Sequence, residues 1–128
     1  AINSLDLLIY FLAYLRSYNV IVDKFETTMK YSFQQFHMWY QYGLSLMCDQ
    51  KYYRAYLVFK ECVDMKPDHL GCHLLLARIA IENLYLANEC VEWCQKIQEL
   101  SSNKNRKAFI LYGSAMCFKA KLQKQRTL

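Results

Sequence analysis

Apolar residues recur along this chain at intervals of three and four, the period of helices that bury one side. Leu5, Leu8, Ile9 and Leu12 trace the first such stripe and predict a helix over about Asn3–Arg16. After a break at Ser17-Tyr18-Asn19, Ile21, Phe25 and Met29 predict a second over Val20–Ser32. Phe36, Trp39, Tyr40, Gly43, Leu44 and Met47 predict a third over Gln35–Cys48. Ala55, Val58, Phe59 and Cys62 predict a fourth over Tyr52–Met65. Lys66-Pro67-Asp68 stops it, because proline gives no amide and disfavours helical geometry in the residue before it. Asp68 is the expected cap of a fifth helix, His69–Glu82. A sixth follows over Leu86–Leu100. Ser101-Ser102-Asn103-Lys104-Asn105 is the most linker-like stretch and precedes a seventh, Arg106–Lys121. Helices joined by so few residues pack antiparallel to their neighbours.

The stripes are in register with one another. Trp39, Tyr42, Gly43, Leu46, Ala55, Phe59, Cys62 and Pro67 follow at spacings of 3, 1, 3, 9, 4, 3 and 5. That is the pattern of one tetratricopeptide (TPR) repeat, a helix–turn–helix unit of about 34 residues. Moving the pattern back by 34 lands on Leu5, Leu8, Ile9, Leu12, Ile21 and Phe25, all apolar. Moving it forward by 34 lands on His73, Leu76, Ala77 and Ala80, and with one extra residue on Cys90 and Cys94. Moving it by 70 lands on Phe109, Tyr112, Gly113 and Met116. Small residues (Gly43, Ala77, Gly113) recur where the two helices of a repeat must touch. The expected fold class is therefore all-α: a TPR-type α-solenoid of about seven antiparallel helices, or three and a half repeats, over residues 1–128. Such a unit cannot bury its apolar side alone and stacks on its neighbours.

Composition agrees with this. Hydrophobic residues make up 55% of the 128, too many for a disordered chain. Three Gly and one Pro are too few for a many-turned β protein. The first residue is Ala, and the last four, Gln125–Leu128, follow a helical run without a stop signal, so the chain reads as a piece of a longer protein. Residues 1–15 lack the basic start of a signal peptide. The longest apolar run, Leu7–Leu15, is too short for a helix to cross a bilayer.

Charge is unevenly placed. Residues 1–100 hold all 11 acids and 9 of the 16 bases; residues 101–128 hold 7 bases and no acid. Lys119, Lys121, Lys124 and Arg126 form a candidate patch for an acidic partner or anionic headgroup. Bases do not recur along the repeats, which argues against a nucleic-acid groove.

Little in the chain suggests chemistry. Six Cys at 48, 62, 72, 90, 94 and 117 contain no CxxC and no paired ligand spacing, so no metal or other cofactor is expected. Most fall on apolar stripes, where Cys behaves as a small hydrophobe, and the thiols are expected reduced. Adjacent Cys72 and His73 point about 100° apart on a helix and cannot form a local dyad. There is no phosphate loop and no carboxylate cluster; no catalytic residue is assigned.

In a TPR stack the first helix of each repeat lines the concave side. Candidate groove residues are Tyr10, Tyr14, His37, Tyr40, Leu44, Met47 and Arg78, with Leu74, Ile81 and Glu82 also facing inward. This aromatic and aliphatic lining suits an amphipathic partner helix. Tyr40, Leu44 and Met47 suit contact with further repeats equally well.

Two stretches are more specific than the generic repeat: Met29-Lys30-Tyr31-Ser32-Phe33-Gln34-Gln35-Phe36-His37-Met38-Trp39-Tyr40-Gln41-Tyr42-Gly43-Leu44-Ser45-Leu46-Met47, and Lys60-Glu61-Cys62-Val63-Asp64-Met65-Lys66-Pro67-Asp68. Both resemble the tetratricopeptide repeat protein 7 family in its central-to-C-terminal helical region. The resemblance implies a non-catalytic scaffold subunit of the plasma-membrane phosphatidylinositol 4-kinase complex. It further implies helical protein partners, among them a lipid kinase and a hyccin-type subunit, and a cytoplasmic location peripheral to the plasma membrane, held there through partners. The alternative from the residues alone is a basic membrane-surface or calmodulin-responsive helical module acting through residues 106–126.

Overall fold

The computed structural model describes residues 18–29 and 36–126. Every regular element among them is an α-helix: α1 Tyr18–Met29, α2 Phe36–Cys48, α3 Tyr52–Met65, α4 Leu70–Glu82, α5 Ala87–Leu100 and α6 Arg106–Arg126. The helix expected over Asn3–Arg16 and the end of the next, residues 30–32, lie outside the described residues. The chain divides into two compact units, Ala1–Val58 and Phe59–Leu128, with the boundary inside α3.

In the first unit α1 packs on α2. Ile21, Val22 and Phe25 of α1 are buried, as are Met38, Tyr42 and Leu46 of α2 and Ala55 and Tyr56 of α3. Tyr18 and Asn19 are helical rather than a break. Asn19 can take helical geometry at little cost, and burying Ile21 and Val22 favours a fully formed helix around them. Between α2 and α3 the chain reverses at Gln50, whose φ of 62° lies in the left-handed region. There Lys51 N donates to Leu46 O at 2.9 Å, satisfying a carbonyl left over at the helix end.

In the second unit α5 packs on both α4 and α6, and α4 also reaches α6. Its core holds Phe59, Cys62, Cys72, Leu76, Ile79, Cys90 and Ile97, all fully buried. The cap of α4 is His69, not Asp68: its Nδ1 accepts from Cys72 N at 3.2 Å, and the helix begins at Leu70. One position decides this, because a capping side chain must reach the amide three residues on. The linker-like stretch after α5 is a closed turn. Asn105 N donates to Gln98 Oε1 (3.1 Å), Gln98 Nε2 donates back to Asn105 O (2.9 Å), and Asn105 Oδ1 caps α6 by accepting from Ala108 N (3.0 Å). Ser102 and Asn103 take positive φ there. Helix α6 then runs to Arg126, five residues beyond the expected end at Lys121, because nothing in Leu122–Arg126 breaks a helix. Lys124 and Arg126 in its last turn suit the negative end of the helix dipole.

Candidate interaction groove

Six of the eight positions of the repeat signature face the interior. Tyr42, Gly43, Leu46, Ala55, Phe59 and Cys62 are buried. Trp39 is half-buried, with its ring edge-on to Tyr42 at 6.4 Å. Pro67 is exposed in the turn it creates. One repeat later His73, Leu76, Ala77 and Ala80 are fully buried, as is Cys90, with Cys94 nearly so. His73 Nδ1 donates to His69 O at 2.8 Å, and its ring meets Trp93 edge-on at 5.8 Å. Among the described residues its buried Nε2 has no hydrogen-bond partner. On α5 the Cys90 and Cys94 sulfurs lie 4.0 Å apart, and Cys90 points its thiol at Leu111 O of α6 at 3.6 Å. Ala108 and Ala115 of α6 are fully buried, small enough for close helix approach.

In the second unit these contacts leave a groove of about 370 Å³ between α4 and α6. Its walls are Gly71, Leu74, Leu75, Ile110 and Leu111; its rim is Arg78, Glu82 and Lys107. Arg78 Nε donates to Glu82 Oε2 at 3.1 Å, an i,i+4 pair that spaces both side chains along the rim. Both are well exposed, so the pair adds little stability and is free to exchange partners.

The expected groove residues are distributed unevenly. Arg78 lines this groove, with Leu74 and Glu82, while Ile81 is buried in the core. His37, Tyr40, Leu44 and Met47 belong to α2 in the first unit, where His37 is exposed and the others half-buried; Tyr40 stacks on Phe36 at 5.7 Å. Tyr10 and Tyr14 lie outside the described residues. The α6 wall, Lys107 and Ile110, was missed, although the sequence contains the signal. Moving His37 and Tyr40 forward by 70 gives Lys107 and Ile110, just as moving them by 34 gives Gly71 and Leu74. Lys119, Lys121, Lys124 and Arg126 are all exposed on the last turns of α6.

No protein-family model matches the chain. Curated relatives do. Over 111 residues, 84% of its length, the chain is 32% identical to tetratricopeptide repeat protein 7B of Mus musculus and to that of Homo sapiens. Over 95 residues, 74% of its length, it is 30% identical to human tetratricopeptide repeat protein 7A. The chain belongs to the tetratricopeptide repeat protein 7 family. It spans 13% of the length of the 7B relatives and 11% of the 7A relative. As a member of that family it is an all-α, TPR-type α-solenoid chain. No helix among the described residues is long and apolar enough to cross a membrane.

Proposed function

We propose that this chain is a non-catalytic protein–protein interaction scaffold. In the specific version of that reading it is part of a tetratricopeptide repeat protein 7-like subunit that helps assemble and localise a phosphatidylinositol 4-kinase complex at the plasma membrane. The observation that carries the scaffold reading is the groove between α4 and α6. Its apolar walls, Leu74, Leu75, Ile110 and Leu111, match the stripe of an amphipathic helix, and the charges on its rim fix orientation rather than perform chemistry. The membership of a TPR family supports the same reading. The kinase-complex role rests on the family resemblance. In this reading the direct partners are helical proteins, a lipid kinase and a hyccin-type subunit among them, and contact with the membrane is made through them.

The test is affinity purification of the full-length parent protein followed by mass spectrometry, beside a Leu74→Asp/Ile110→Asp variant. Salt-tolerant recovery of a lipid kinase, lost in the variant, is the expected result. A partner set without any lipid kinase overturns the specific version. An unchanged partner set in the variant overturns the role of the groove.

A further inference from the structure

The start of α4 holds two imidazoles, and each is tied in a way that only its neutral form allows. His69 caps the helix, its Nδ1 accepting from Cys72 N at 3.2 Å. A ring nitrogen accepts only while it carries no proton. One turn on, His73 is 0% exposed. Its Nδ1 lies 2.8 Å from His69 O, and a carbonyl can only accept, so Nδ1 carries the proton of the neutral ring. The bare Nε2 is buried and has no hydrogen-bond partner among the described residues. A second proton there would be a donor without an acceptor inside an apolar core.

The packed elements supply no such acceptor among the described residues. On α5 the Trp93 ring meets His73 edge-on at 5.8 Å, and an indole N–H only donates. Glu89 and Lys96 share the Trp93 side of α5, about one turn away in either direction. No carboxylate oxygen lies within hydrogen-bond distance of Nε2. Cys90 and Cys94 of the same helix are buried thiols. On α3, Cys62 and Lys66 lie near Cys72. On α6, Lys107 shares the groove with Gly71 and Leu74. Along α4, Arg78 and Glu82 pair with each other. Asp68 is exposed beside His69 in the chain; it can draw a proton to His69, and that proton removes the cap. The helix opposes both charges as well, because its first turn holds no acid and its free amides make that end positive.

We infer that the first turn of α4 is a proton-operated latch: in mildly acidic solution, proton uptake by His69 and His73 releases this turn from beneath α5. Imidazoles are the side chains that ordinarily change charge between about pH 5 and 8. The opened turn gives both rings to water and so binds more protons than the closed one, and acid shifts the balance towards it. Gly71, Leu74 and Leu75 of the same stretch wall the groove between α4 and α6, so opening the latch dismantles that wall. His73 is fully buried within this chain, and no other segment is needed to enclose it.

Hydrogen exchange of the 128-residue chain by NMR tests this, with protection factors corrected for the intrinsic pH dependence of exchange. Between about pH 7.5 and about pH 5.5, protection of amides 72–77 should fall about tenfold or more, while that of the α1 and α2 amides holds steady. The Glu26 carboxyl, held below 4.5, is silent in this window. The double variant His69→Asn/His73→Leu keeps a capping oxygen and an apolar filling but takes up neither proton, so its protection should be the same at both pH values. Each single exchange should keep part of the response. His37→Gln, at the exposed third histidine, should keep all of it. Equal protection at both pH values in the parent overturns the inference. A loss shared equally by α1 and α2 does so too, since that is general weakening by acid. A double variant that still responds overturns the assignment to these two rings. Should the double variant not fold, the single exchanges decide: if neither alters the response, the latch is not there.

Discussion

The Tyr42 hydroxyl donates a 3.0 Å hydrogen bond to Glu26 Oε1, joining α2 to α1. Arg54 of α3 completes the triad, its Nη2 donating to the Tyr42 oxygen at 2.8 Å and to the same Glu26 carboxylate. Three helices of the first unit are thus tied at one polar point. Burial works to raise the Glu26 pKa, but hydrogen bonds from Arg54 and Tyr42 and the Arg54 charge outweigh it and hold the group below its ordinary 4.5. For Tyr42, burial and the bond to Glu26 push the phenol above 10.0.

The sign of the pH dependence follows. A carboxylate whose folded pKa is depressed contributes stability that is present above its unfolded value and lost as pH falls through the folded one. Urea denaturation from pH 7 downward should show part of the stability disappearing below 4.5, and Glu26→Gln should remove that part of the profile. At neutral pH the substitution should cost less than about 1 kcal/mol, because both partners are more than a third exposed and solvent screens the pair. The difference should shrink further in high salt.

The second unit offers a sharper contrast between neighbours on one buried face. Leu76→Ala removes a fully buried side chain and should cost about 2–5 kcal/mol in a denaturant midpoint shift at constant slope. His73 is equally buried but leaves Nε2 without a partner among the described residues. His73→Leu gives up one hydrogen bond and relieves one unmet polar atom, so it should change stability by less than about 1 kcal/mol.

Why the core was legible in the sequence and the groove only partly so is visible in these residues. Leu76 and Phe59 announce themselves because burial selects large apolar side chains at helical period, whatever the neighbouring helix is. The C-terminal end of α3 was legible because Pro67 acts locally. The cap of α4 was not: Asp68 and His69 are both able to cap, and only the backbone decides which one reaches Cys72 N. The Tyr42–Glu26–Arg54 triad spans 28 residues of chain, and no local pattern encodes such a meeting. The groove fell between these cases. Arg78 was found from one helix, but Lys107 and Ile110 required applying the same inward rule to the next repeat.

Thiol labelling tests the packing of the helices independently. Cys48 and Cys117 are exposed, whereas Cys62, Cys72, Cys90 and Cys94 are buried. Cys62 is pushed up by donating to the Cys72 sulfur and by burial, and Cys90 likewise by Cys94 and by burial. Thiols held in the protonated form are poor nucleophiles; Cys72 and Cys94, whose pKa those same hydrogen bonds lower, are shielded by burial instead. In the folded chain at mildly alkaline pH an aromatic disulfide reagent should modify two thiols, and the remaining four only in denaturant. Partial burial also raises the Cys48 pKa, so Cys48 should react more slowly than a small free thiol. Fast labelling of Cys90 or Cys94 would mean that α5 does not sit on α6.

Gly113 makes the last prediction, and the most discriminating one. Replacing a helical glycine by alanine lowers the entropy of the unfolded chain and should stabilise by about 1 kcal/mol wherever the new methyl group has room. The methyl would meet no described atom within 4 Å, so Gly113→Ala should raise the stability of the isolated 128-residue chain by about that amount. This corresponds to a rise of a few degrees in Tm by calorimetry. The reverse exchange one repeat earlier, Ala77→Gly, should destabilise by about 1 kcal/mol or more, because Ala77 is fully buried and its methyl fills space beneath α5. Equal and opposite effects at two positions of one register would show that the repeat is closed at α4 and open at α6. A loss of stability in Gly113→Ala would mean that something within the chain already lies against that face.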